Sequence, residues 1–121
     1  MRILCVEDNQ DTCELLTTLL GVSDLEAVAV STAAEALRLM KAERFDLYLM
    51  DGRLPDADGV ALCEQIRQVD KITPVVFFTG KAYESDREAA LAAGADAYVI
   101  KPDTDTLVPT VKRLLEEARP R

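Results

Sequence analysis

Short apolar runs alternate along the whole chain with segments in which apolar residues recur at helical spacing. "RILCV" (Arg2 to Val6) reads as a buried strand, and "DTCELLTTLLG" after it as a helix stopped by Gly21. "EAVAVS" is a second strand, and Ser31 or Thr32 suits the cap of the helix "AAEALRLMKAE", whose Ala33, Leu37 and Met40 share one face. "DLYLM" (Asp46 to Met50) is a third strand, followed by a helix over 59–69 with Leu62, Ile66 and Val69 at i, i+4 and i+7. "TPVVFFT" is the fourth strand, "ESDREAALAAG" an Ala-rich helix ending at Gly94, and "AYVI" the fifth strand. A last helix shows Leu107, Val108, Val111, Leu114, Leu115 and Ala118 on one face, with Pro109 early enough to be tolerated.

Strands that are continuously apolar, rather than alternating, are those covered by helices on both faces of a parallel sheet. Five strands interleaved with five helices therefore predict an α/β fold, a doubly wound (βα)5 parallel sheet. Right-handed crossovers leave few topologies, of which the flavodoxin-like order 2-1-3-4-5 is the commonest for this count. In such sheets, sites form at the carboxyl ends of the strands, near the switch point between strands 1 and 3.

Composition narrows the picture. The 121 residues fit one domain, 1–121, with no linker, repeat or low-complexity stretch and no output domain expected in this chain. A net charge of −8 repels a phosphate backbone, so direct nucleic-acid binding is not expected. No apolar run approaches the roughly 20 residues that cross a bilayer, and "MRILCVEDNQD" turns acidic too soon for a secretory signal, so the cytoplasm is the expected compartment. Three cysteines, Cys5, Cys13 and Cys63, lack metal or redox spacing and read as core or near-core thiols. The chain has no histidine, which excludes any mechanism using its own imidazole as base, nucleophile or phosphate carrier.

The carboxyl ends carry the chemistry. The first strand ends in Glu7 and Asp8, the third in Asp51, the fourth in Thr79 and Gly80, and the fifth in Lys101 and Pro102. With strands 1 and 3 adjacent, three carboxylates converge at one mouth, where mutual repulsion calls for a cation. Oxygen-only ligands suit a hard ion, and partly hydrated Mg2+ is the natural candidate. A hydroxyl from Thr79 and an ammonium from Lys101 aimed at the same place make a pocket for additional anionic oxygens, which is what phosphoryl transfer to an Asp51 nucleophile requires. Taken singly, each residue has a plainer use: Asp8 or Asn9 as a helix cap, Asp51 in a turn, Lys101 as a solvated charge. Independent caps give no reason for three acids, a hydroxyl and a lysine to collect at the same end of four strands.

In "CVEDN", "MDGRLPDADG", "FFTGK" and "GADAYVIKP", in that order, the chain resembles the receiver domain of bacterial two-component response regulators over nearly its whole length. The resemblance implies that Asp51 accepts a phosphoryl group from a phosphohistidine on a histidine kinase or a histidine phosphotransfer protein. It implies that Asp8, Asp51 and the backbone carbonyl of Arg53 hold Mg2+, with Glu7 acting through a water. It further implies that Thr79 and Lys101 contact the phosphoryl oxygens, that Gly80 leaves room for Thr79, and that Tyr98 is the aromatic that swings inward when Thr79 moves. Output would be read by a partner or an output domain from the surface of helix 4, strand 5 and helix 5. Pro55 and Gly59 have structural roles, and Lys101–Pro102 resembles the site of the family's cis peptide. Two positions depart from the pattern: Gly52 stands where the family usually has an aliphatic residue, and Asp103 where it often has Phe.

Rival readings fit less well. A receiver-like module that switches without phosphate usually lacks an acid, the acceptor or the lysine, and all are present. A haloacid-dehalogenase-type phosphatase needs a second Asp two residues after the nucleophile, where Arg53 stands. A flavodoxin-like carrier needs a hydroxyl-rich loop where "EDNQD" is acidic, and no nucleotide P-loop occurs. The sequence thus predicts a signalling receiver, not an enzyme beyond its own phosphorylation and dephosphorylation.

Overall fold

A computed structural model describes residues 1–118. Its elements are β1 (Arg2–Val6), α1 (Gln10–Val22), β2 (Glu26–Val30), α2 (Ala33–Ala42), β3 (Leu47–Met50), α3 (Gly59–Val69), β4 (Val75–Thr79), α4 (Glu84–Ala92), β5 (Ala97–Ile100) and α5 (Thr104–Glu117). The five strands form one parallel sheet in the order β2-β1-β3-β4-β5, as the apolar pattern predicts. The register sets Val6 beside Met50 and Thr79 beside Ile100, so the strands end nearly level and the residues after them share one mouth.

Each strand sends alternate side chains to opposite faces. Leu4, Val6, Tyr48, Met50, Val75 and Phe77 pack against α2, α3 and α4, while Ile3, Cys5, Leu47, Leu49, Val76 and Phe78 pack against α1 and α5. Apart from Arg2 at the start of β1, the three central strands are buried throughout, which is why their sequences show no polar alternation. Truncating a fully buried residue such as Leu4 or Leu20 to Ala in such a core costs about 2–5 kcal/mol.

The helix starts follow local chemistry. Asn9, Thr32, Asp58 and Asp103 each accept a hydrogen bond from a backbone N–H in the first turn of α1, α2, α3 and α5. Asp103, a departure in the sequence, thus has a local use, holding Thr106 through both its N–H and its hydroxyl. Gly94 ends the α4 segment at φ +113°, where a Cβ would also strike Arg67. Three expectations shift. Gly21 does not stop α1, which runs to Val22, and the left-handed residue of that turn is Asp24 (φ 61°). Val69, the last residue of α3, is 66% exposed, although Ile66 one turn earlier is buried. Ala118, at the end of α5, is exposed as well.

Candidate functional site

Among the described residues the buried polar or charged side chains are Glu7, Asp51 and Thr79, at 3%, 9% and 1% exposure, and all three stand at the carboxyl ends of β1, β3 and β4. Burying a carboxylate costs several kcal/mol unless it is paired, so such a grouping needs a local cause. β1 and β3 are neighbours, and Asp51 N–H donates to the Val6 carbonyl, which carries the sheet ladder one residue further and fixes Asp51 beside Glu7. Asp8, the next residue, is exposed at the rim. One oxygen from each of Glu7, Asp8 and Asp51 lies within 4.8 Å of the others, so the three could hold a metal ion.

Lys101 crosses from the end of β5 into this cluster. Its Nζ lies 2.7 Å from Glu7 Oε1 and 3.1 Å from Asp51 Oδ2. Lys101 N–H donates to the Thr79 carbonyl, which places the residue beside the end of β4, and the Lys101–Pro102 peptide is cis. Burial works against the Lys101 ammonium, but the bonds to Glu7 and Asp51 outweigh it and hold its pKa above the ordinary lysine value. Burial pushes the Glu7 carboxyl up, and this prevails over the hydrogen bonds from Lys101 and the Asn9 N–H. One lysine therefore pairs with two of the three acids, and Asp8 at the rim is left without a cation partner among the described residues. The donor set is all oxygen apart from that ammonium, which is chemistry a hard divalent cation accepts.

The loop after β3 is held from outside. Arg53 N–H approaches Asp51 Oδ1 at 3.3 Å, and Arg53 pairs with Asp58 in an isolated bridge. Asp56 turns away and accepts the N–H groups of Ala33 and Ala34 at 2.8 and 3.0 Å, so that the loop after β3 caps α2; those two bonds hold the Asp56 carboxyl below its ordinary value. Sequence reasoning missed this anchor, since a carboxylate capping a helix 23 residues earlier leaves no local pattern. Gly59 has a steric requirement: a Cβ there would strike the Asp51 carbonyl oxygen, and its N–H donates to the Gly52 carbonyl. Pro55 lines the cleft beside Glu7 and Asp8.

Thr79 Oγ1 accepts from the Lys81 N–H at 3.3 Å. Gly80 is exposed at the cleft wall, and a Cβ there would meet nothing within 4 Å. Tyr98 stacks on Phe77, with ring centroids 5.7 Å apart, and its hydroxyl donates to the Lys81 carbonyl at 2.7 Å. The ring stands on the edge strand β5, and these two contacts hold it against Phe77 and the loop at Lys81. Glu7, Asp8, Asp51, Thr79, Lys101 and Tyr98, drawn from positions 7 to 101, are brought into one neighbourhood by the sheet order.

The sequence profile of the response regulator receiver domain matches residues 3–112. The alkaline phosphatase synthesis transcriptional regulatory protein PhoP of Bacillus subtilis is 33% identical over 98% of this chain and 51% of its own length. The chain spans about half the length of the curated relatives it matches. A two-component response regulator from Clostridium difficile superposes with a TM-score of 0.93 at 28% identity, over 99% of both chains. The receiver domain of the Pseudomonas aeruginosa sensor histidine kinase PA1611, whose structure has a magnesium ion coordinated in the active site cleft, superposes with a TM-score of 0.87 at 30% identity, over 95% of this chain and 97% of that one. The four-part signature, the 2-1-3-4-5 sheet and the acidic mouth converge with these matches: the chain belongs to the response regulator receiver domain family, the signalling domain of two-component regulators.

Proposed function

We propose that Asp51 is the phosphoacceptor. The observation that carries this reading is the bridge of Lys101 between Glu7 and Asp51 in a mouth where the buried Thr79 hydroxyl ends the neighbouring strand. An Asp51 carboxylate oxygen attacks the phosphorus of a phosphohistidine on a kinase or phosphotransfer protein; the P–N bond breaks, and the imidazole leaves with its electron pair and takes up a proton. Glu7, Asp8, Asp51 and the Arg53 carbonyl would hold Mg2+, which supplies charge neutralisation for the transferred group. Lys101 and the Thr79 hydroxyl are placed to contact phosphoryl oxygens, and Lys101 then exchanges part of its bond to Asp51 for the incoming charge. With no histidine in the chain, the donor imidazole belongs to the partner.

The domain acts as a signalling element rather than as an enzyme on other substrates. Its output runs to a partner or to a further domain through the surface of α4, β5 and α5, where Tyr98 and the loop leading into α4 connect to the acceptor. Its surplus of acid suits protein partners better than nucleic acid. No described helix is long and apolar enough to cross a membrane, and we place the domain in the cytoplasm on the strength of its free thiols and its kinase partner.

Intact mass after incubation with acetyl phosphate tests the reading. The expected result is a gain of one phosphoryl group that needs Mg2+ and is lost in Asp51→Asn. A gain that persists in Asp51→Asn, or no gain from either acetyl phosphate or a phosphorylated histidine kinase, would overturn it.

A further inference from the structure

Lys81 has more anchors than a loop lysine needs. Its N–H donates to Thr79 Oγ1, its carbonyl accepts from the Tyr98 hydroxyl, and its Nζ lies 3.7 Å from Asp58 Oδ2 at the start of α3. Its side chain is only 22% exposed. A part-exposed ion pair of that length does not by itself offset the rotamer freedom a lysine loses on being fixed. The reason the stem lies where it does is Gly52. A Cβ at position 52 would fall 3.0 Å from Lys81 Cδ and 3.0 Å from Thr79 Oγ1, closer than side chains normally pack. The missing side chain is the seat on which the lysine rests.

Position matters because of what lies on either side. One cleft, at the acceptor, is walled by Asp51, Thr79 and Lys81. A second cavity, between that cleft and the Tyr98 ring, is walled by Gly52, Asp58, Phe77, Tyr98 and the same Lys81. We propose that Lys81, seated on Gly52 and tied to Asp58, is the positioning residue that fixes the Thr79 hydroxyl and the Tyr98 ring together. Displacing its stem moves the backbone at 81, and that backbone holds the N–H that meets Thr79 and the carbonyl that meets Tyr98. Gly52, which the sequence marks as a departure, becomes the residue that permits this strut. A side chain at 52 would occupy the seat and uncouple the two groups.

The consequence for phosphorylation rests on Asp51 being the acceptor, but the strut itself is read with no phosphoryl donor present, so failure of one leaves the other standing. The experiment is fluorine NMR of the full chain carrying 3-fluorotyrosine at Tyr48, Tyr83 and Tyr98, assigned with Tyr→Phe variants. A soluble paramagnetic agent should broaden Tyr83, which is 80% exposed, strongly, spare the buried Tyr48, and broaden the partly buried Tyr98 much less than Tyr83. Gly52→Leu, which fills the seat, should raise the outward population of Tyr98 about tenfold. Lys81→Met should raise it about two- to fivefold, with Lys81→Arg restoring the wild-type signal. Should Gly52→Leu fail to fold, Lys81→Met and Asp58→Asn carry the test alone. A Tyr98 signal unchanged in Lys81→Met, Asp58→Asn and any folded Gly52→Leu, or one as accessible as Tyr83 in the wild type, would overturn the proposal.

Discussion

The two ends of the sheet treat charge in opposite ways. At the amino ends of β3 and β4, each acid finds its own donors close by. Asp70 accepts the Tyr48 hydroxyl with one oxygen and the N–H groups of Ile72 and Thr73 with the other. Arg67 donates to the carbonyls of Gly94, Asp70 and Thr73 and reaches Asp96, which also accepts the Val75 N–H. Charge there is consumed in closing loops. At the carboxyl ends, two of three clustered acids, Glu7 and Asp51, share Lys101, and Asp8 meets no cation within salt-bridge distance among the described residues. The difference teaches where function sits: an end whose charges are locally matched holds the fold, and an end with unmatched charge keeps electrostatic energy available for a ligand.

Substitutions at the two ends should therefore move stability in opposite directions. The largest effect belongs to Arg67→Ala, which strips donors from three backbone carbonyls and should lower unfolding free energy by about 2–4 kcal/mol in a urea titration. Asp8→Asn should do the reverse on a smaller scale, raising stability by roughly 0.5–1 kcal/mol in metal-free buffer because it removes one of the clustered acids. With Mg2+ held at this mouth as proposed, the same variant should gain less stability from added Mg2+ than the wild type. If Asp8→Asn destabilised the protein in metal-free buffer, the surplus-charge account of that end would fail.

The smallest effect is in pH. Burial pushes the Asp70 carboxyl up, but the hydrogen bonds from Thr73, Tyr48 and Ile72 outweigh it and leave its pKa below the ordinary value. A group depressed on folding stabilises fully above its unfolded pKa, near ~3.9 for Asp, and that contribution is lost as pH falls through the lower folded value. Asp56, depressed by the N–H groups of Ala33 and Ala34, follows the same sign. Acid titration of stability should accordingly be shallower in Asp70→Asn and in Asp56→Asn than in the wild type. An unchanged acid limb in both would show that these carboxylates are not coupled to folding.

Much of the acceptor end was legible because strand ends are legible. An apolar run that stops at a charge marks both the strand and the residue at its mouth, and this located Glu7, Asp8, Asp51, Thr79 and Lys101. Caps with a partner three residues on, such as Thr32 and Asn9, were visible as alternatives for the same reason. Asp56 was not, nor was the amino-end network of Arg67, because their partners are backbone groups brought close by the packing of other elements. Val69 kept the helical period yet lies exposed, since periodicity gives the direction of a face and not how far the sheet extends beneath it.

The sequence by itself determined the alternation of strands and helices, the burial of the central strands and the residue types at the mouth, because periodicity, burial and local capping act over a few neighbours. The tertiary structure alone decided that Lys101 divides itself between Glu7 and Asp51, that Asp56 ties the acceptor loop to α2, and that Lys81 lies over Gly52 with Tyr98 behind it. These are contacts between residues far apart in the chain. Their distances follow from how strands are ordered and helices packed, and no short stretch of sequence carries that information.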